Sequence, residues 1–166
     1  MAHPIVRTDL MSGTVDGAQL RSVMYYDGEK TAEVENGAIV KLEGMLDREV
    51  FKGVAPKAGD ELKDLVLIAS PEIIYEKSNS NLEDFINPKD EPARGYRLHI
   101  GNIFSVTSDG FVVGEGAEVE KGDVVEIVDG VKPTIAKTAT EGNTKIGVVA
   151  DIDVVGGKTY YAVLVG

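Results

Sequence analysis

EVENGAIVKLEG, residues 33–44, is the stretch on which the reading of this chain turns, because a near copy, VEKGDVVEIVDG, returns at residues 119–130. In both, a polar pair ending in glycine precedes four or five residues that alternate or run apolar. Each unit therefore reads as a tight turn delivering the chain into a strand. Asn36-Gly37 predicts a two-residue hairpin turn, since both residue types tolerate positive φ, and Lys121-Gly122 is a weaker version. Lys57-Ala58-Gly59-Asp60, ahead of the apolar run Leu62 to Ile68, is a more distant third. Equivalent corners suit a compact barrel or roll, and internal duplication competes evenly with the plain occurrence of glycine turns before Val/Ile strands.

Outward from these corners the same texture continues. Short runs rich in β-branched and aromatic residues, among them SVMYY (22–26), DLVLIAS (64–70), YRLHI (96–100), IFSVT (103–107) and VVEIV (124–128), are punctuated by 19 glycines. Their length and spacing predict a mainly β protein, a barrel, roll or sandwich. KIGVVADIDVV, Gly156-Gly157 and KTYYAVLVG predict a long ribbon around a Gly-Gly turn, whose second strand should be essential to the sheet. SNSNLEDFINP (78–88) breaks the pattern. With Ser80 or Asn81 as N-cap, acids in the first turn and Pro88 as a stop, it predicts one short helix inside a loop insertion at about 78–94. The organisation expected is an N-terminal arm over 1–20 and a β domain over 21–166.

The 166 residues suffice for a core without staples, since a chain of this size buries roughly two-thirds of its unfolded surface. Hydrophobic residues make up 43% and charged residues 27%, a globular balance. Formal charge is −11 with no Lys/Arg stripe, which argues against nucleic acid as a partner. Cysteine is absent, removing disulfides and thiolate chemistry together. No segment has the basic start of a leader or the apolar length of a membrane span, so no membrane association is expected.

Chemical motifs fail one after another. GGKT at 156–159 lacks the earlier glycine of a phosphate loop, whose place is taken by Ile152, and leads into a strand where a helix is needed. Gly114-Glu115-Gly116 begins a dinucleotide fingerprint but meets Val119 at the third glycine. Lys158, between Gly157 and Thr159, lacks the neighbours of a biotinyl or lipoyl lysine. The two histidines, His3 and His99, sit in unrelated contexts, and Ser70 and Ser105 have no nucleophile elbow around them. Asp151 and Asp153 share a strand face that Asp123 or Asp129 could join around a hard cation, although acids on a solvent face more simply serve solubility. No catalytic residue, metal ligand or cofactor is assigned, and the chain is not expected to be an enzyme.

The N-terminal segment MAHPIVRTDLMSGTVDGAQ is too short and irregular to bury Ile5, Val6, Leu10 and Met11 by itself. It either tucks under its own domain or is an arm that orders against another chain by strand addition.

Taken in order, the apolar arm, VENGAIVKL, APKAGDELKDLVLIASPEIIYE, ARGYRLHIGNIFSVT, VEKGDVVEIVDG and the terminal ribbon resemble the capsid decoration, or cement, proteins of tailed phages. The resemblance covers most of the chain and departs from the smallest such proteins in length and in the 78–94 insertion. It implies a virion structural protein, made in the bacterial cytoplasm, that binds the major capsid protein on the outside of the expanded head as a homotrimer and stabilises the head against packaged DNA. Under that reading His3, Pro4, Ile5, Val6, Leu10 and Met11 form the capsid-binding arm, with Ile5, Val6 and Leu10 as anchors. The alternatives are another phage structural role, a head fibre base or tail tube subunit, and a small carbohydrate- or ligand-binding β domain using Tyr25, Tyr26, Tyr160 and Tyr161.

Overall fold

The structure, a computed structural model, describes residues 2–11, 17–74 and 81–166. Its first half contains β1 (Leu20–Asp27), β2 (Lys30–Thr31), β3 (Ile39–Met45), β4 (Val50–Val54), β5 (Leu65–Ile68) and β6 (Ala93–Arg97). Its second half contains β7 (Ile103–Thr107), β8 (Val112–Val113), β9 (Val124–Ile127), β10 (Thr134–Ala136), β11 (Thr144–Val155) and β12 (Lys158–Val165). The expected mainly β barrel architecture is what forms. The short helix of the insertion is a single 3-10 turn, Leu82–Asp84, and Asn81 ahead of it makes no side-chain capping bond. The other proposed cap, Ser80, lies outside the described residues.

The first six strands hydrogen-bond in the order β2-β1-β4-β3-β5-β6, and β1 also pairs with β6, which closes five of them into a barrel. Val23, Val40, Val66, Ile68 and Ala93 fill its interior. Two glycines make the narrow lumen possible. A Cβ on Gly53 would lie 2.5 Å from Val23 Cγ1, and one on Gly95 3.0 Å from Val23 Cγ2. The other six strands, in the order β7-β12-β11-β9-β10-β8, curve into a half-barrel.

The two sheets share a second core. All four residues of β5 are completely buried, yet they alternate: Val66 and Ile68 point into the barrel, while Leu65 and Leu67 pack with Val125, Ile127, Ile146 and Val163 of the half-barrel. Strand periodicity explains this, since successive side chains leave opposite faces. A continuous apolar run thus marks a strand covered on both sides.

The repeated glycine corners exist, but not as hairpins. Asn36-Gly37 lies in a turn closed by Ala38 N donating to Glu35 O at 3.4 Å, with Gly37 at φ 84. The strands on either side do not pair with each other. Instead Gly37 N donates to Ile68 O and Ile68 N donates back to Ala38 O, both at 2.8 Å, so two residues face one. Gly122 and Asp123 repeat the exchange with Val149 at 2.7 and 2.8 Å, and Gly101 and Asn102 repeat it with Val165 at 2.9 Å both ways. This is a glycine-first β-bulge joined to a tight turn, which bends the entering strand sharply. The hairpin expectation failed because a positive-φ turn specifies a corner without specifying the partner strand.

The terminal ribbon is as expected. β11 and β12 pair from Gly147↔Val165 to Val155↔Lys158 around Gly156 and Gly157, at φ 60 and 79. Among the described residues no helix is long and apolar enough to cross a membrane.

Candidate functional site

β7 pairs with β12 on one side only, so its other edge needs a cover. The N-terminal segment provides it. Arg7 N donates to Ser105 O at 2.9 Å and Thr107 N to Ile5 O at 3.0 Å, with Val6 and Val106 facing each other between these bonds. Ile5 N is satisfied by Thr107 Oγ1 at 2.9 Å. Pro4, which has no N–H to offer, fits against two glycines. A Cβ on Gly110 would sit 3.3 Å from Pro4 Cβ and 2.6 Å from Val106 Cγ1, and one on Gly37 would meet the same two side chains. Beyond Arg7 a 3-10 turn, Thr8–Leu10, leads Met11 back into the shared core.

Polar contacts pin the start of this strap. His3 N donates to Glu83 O at 2.7 Å, and His3 Nδ1 lies 2.7 Å from Glu35 Oε1. Lys132 Nζ is 3.0 Å from Glu35 Oε2. Partial burial works against a charge on Glu35, but the bonds from His3 and Lys132 outweigh it and hold the carboxyl below its ordinary range. Lys158 pairs with Glu83, tying the turn end of the ribbon to the same corner.

Of the six residues expected to form a partner-binding arm, Pro4, Ile5, Val6 and Met11 are buried in their own chain and His3 is half-buried. Leu10 is 44% exposed. The arm has an extended backbone but is docked, so in the isolated chain the anchors Ile5 and Val6 face inward. Strand addition takes place in cis.

The remaining candidates do not converge. His99 is exposed, and Ser70 and Ser105 are buried on different sheets. Ser70 Oγ accepts from Arg94 N at 2.9 Å. Asp151 pairs with Lys121, and Asp123 Oδ2 accepts from Glu120 N at 2.8 Å. Among the described residues no three His, Asp or Glu side chains are placed to hold a metal. The tyrosines are dispersed: Tyr160 is buried, Tyr161 stacks edge-on against Phe111 at 5.6 Å, and Tyr26 lies beneath Lys52 at 5.5 Å.

Two buried polar clusters escaped the sequence. Asn36 Oδ1 accepts from Ser70 N at 3.0 Å and from Asn87 Nδ2 at 3.1 Å, while Asn36 Nδ2 donates to Ser70 O at 2.9 Å. Glu126, 2% exposed, accepts from Thr140 N and Asn143 Nδ2, each at 2.9 Å. Burial opposes its charge, and these bonds still hold its carboxyl below the usual range. The only local signals are an asparagine before a glycine and an acid inside an apolar strand.

Comparison with protein-family models, with curated proteins and with solved structures returned no match.

Proposed function

We propose that this chain is a capsid-decoration protein of a tailed phage, which binds the major capsid protein on the outside of the expanded head as a homotrimer and braces the head against packaged DNA. The observation that carries the reading is the strap: residues 5–7 form a strand-like segment held on an open sheet edge by two flanking backbone bonds. In the proposal this segment leaves β7 and pairs with an edge of the capsid protein. Exchange is thermodynamically reasonable because backbone bonds broken in cis are remade in trans, leaving side-chain fit to set the preference. Three straps on one trimer raise the effective concentration of the second and third grips once the first has engaged. Net charge of −11 suits an outer surface away from the genome.

The register supplies the test. Val6 and Val106 face each other as a non-hydrogen-bonded antiparallel pair, the closest cross-strand spacing, and the chain has no native cysteine. A Val6→Cys/Val106→Cys variant should form a disulfide that locks the strap. The expected result is a trimer in solution, wild-type co-sedimentation with expanded shells, and loss of co-sedimentation in the oxidised variant with recovery on reduction. Shell binding by the oxidised form would exclude strap exchange. Failure of the wild type to bind shells would overturn the decoration reading itself.

A further inference from the structure

The chain carries five arginines, and three of them, Arg21, Arg48 and Arg94, line one groove of about 610 Å³ whose apolar walls include Phe51, Pro71 and Pro92. They come from the start of β1, the β3–β4 loop and the start of β6, brought together by closure of the barrel through β1–β6 pairing. Arg21 is positioned in advance: its guanidinium lies 5.7 Å from the centre of the Phe51 ring, and its Nη1 donates to Ala18 O at 2.9 Å and Leu20 O at 2.6 Å. None of the three forms an ion pair with a carboxylate among the described residues. Glu49, the one acid lining the groove, bridges none of them. On a protein of net charge −11, where carboxylates outnumber cations 28 to 17, three guanidinium groups on one wall with no carboxylate partner among the described residues are the reverse of the average surface.

We infer that this groove binds an extended acidic segment of a partner protein, with carboxylates on the arginines and an apolar side chain against Phe51, Pro71 and Pro92. Guanidinium forks match carboxylates in geometry as well as charge. The size argues for a peptide over a lone anion, since the groove falls within the range of a ligand of many atoms. A neighbouring hollow of about 660 Å³ shares Ser70, Pro71 and Pro92 and adds Ile73, Ile74 and Phe85 together with Asp84 and Glu91, so it offers room for apolar side chains while its acids confine the carboxylate sites to the arginine groove. Nucleic acid fits poorly, because a run of phosphates brings more negative charge than three arginines can match on a chain of net charge −11. The inference is independent of shell binding and is tested on the isolated protein.

The probe is a library of displayed random octapeptides, selected on the wild type and screened against an Arg48→Gln/Arg94→Gln variant. Both arginines are exposed and their side chains have no described partner, so the variant should melt like the wild type. The expected outcome is enrichment of peptides with two or more Asp or Glu beside an aromatic or branched residue. Such peptides should bind the variant about tenfold more weakly or worse, and should weaken as salt rises from about 0.05 to about 0.5 M. Selection of neutral or basic peptides, equal binding to the variant, displacement by inorganic phosphate at the peptide's own concentration, or no selection at all would each overturn the proposal.

Discussion

The closed barrel and the half-barrel solve the same edge problem in opposite ways. In the barrel, β1 turns back to pair with β6, so its strands satisfy one another and the interior shrinks to valines, Ile68, Ala93 and two glycines. The half-barrel never closes. Its β7 edge is covered by a segment from the opposite end of the chain, and its buried polar groups are held by hydrogen bonds from loops. Closure satisfies a region's own strand edges, although the two sheets still share a core, whereas an open sheet depends on separate pieces to cover its edge. The docked N-terminal strap accordingly lies on the half-barrel, and the arginine groove lies on the barrel.

The harshest way to break the comparison is to remove residues 162–166. β12 is a central strand between β7 and β11, so the loss strips partners from both. Circular dichroism and calorimetry should find no cooperative transition, because the shared core loses Val163 and Val165. A cooperative melt retained by the truncated chain would show that the barrel folds alone.

Glycine substitutions sharpen the contrast. A Cβ at Gly147 would sit 2.0 Å from Leu164 O, a backbone atom of the paired strand, whereas at Gly53 it meets Val23 Cγ1, a side chain. Backbone cannot step aside without breaking the β11–β12 register. Gly147→Ala should therefore lower stability by more than about 3 kcal/mol and Gly53→Ala by about 1–3 kcal/mol, read from urea titrations. The reverse order would mean that the closed barrel is the stiffer body.

The two corner turns provide a matched pair at smaller scale. Asn36 is buried and three hydrogen bonds connect it to Ser70 and Asn87, while the equivalent Lys121 is exposed with its ammonium on Asp151. Asn36→Ala leaves buried donors and acceptors unmatched and should cost about 2–3 kcal/mol. Lys121→Ala should change stability by less than about 0.5 kcal/mol. Equal effects would show that turn geometry alone matters at both sites.

Acid gives the mildest test. Glu35 and Glu126 both have folded-state pKa values below the ordinary glutamate value of 4.5, so their stabilisation is complete above that pH and fades as pH falls through the lower folded values. Both serve the strap or the half-barrel, while the barrel is filled by Val23, Val40, Val66, Ile68 and Ala93. Below about pH 4.5, amide exchange should rise first in residues 3–7 and β9, and Glu126→Gln should flatten the acid limb of the melting curve. Uniform acceleration across β3 and β5 would contradict the division.

What could be read without coordinates was local. Val, Ile and Tyr runs between glycines marked strands because period-two burial is written into residue order, and Gly156-Gly157 marked its hairpin because only that backbone turns so tightly. β5 was legible as a strand from DLVLIAS, whereas its coverage on both faces emerged only with the two sheets in place. What only the tertiary structure decided was pairing: that Gly37 and Gly122 bend strands toward Ile68 and Val149, that Val6 finds Val106, and that arginines 21, 48 and 94 share a wall. Hydrogen bonds between strands carry no side-chain signature, and groups far apart in sequence meet only after closure. A residue's conformation can be read from its neighbours in the chain, but its partner cannot.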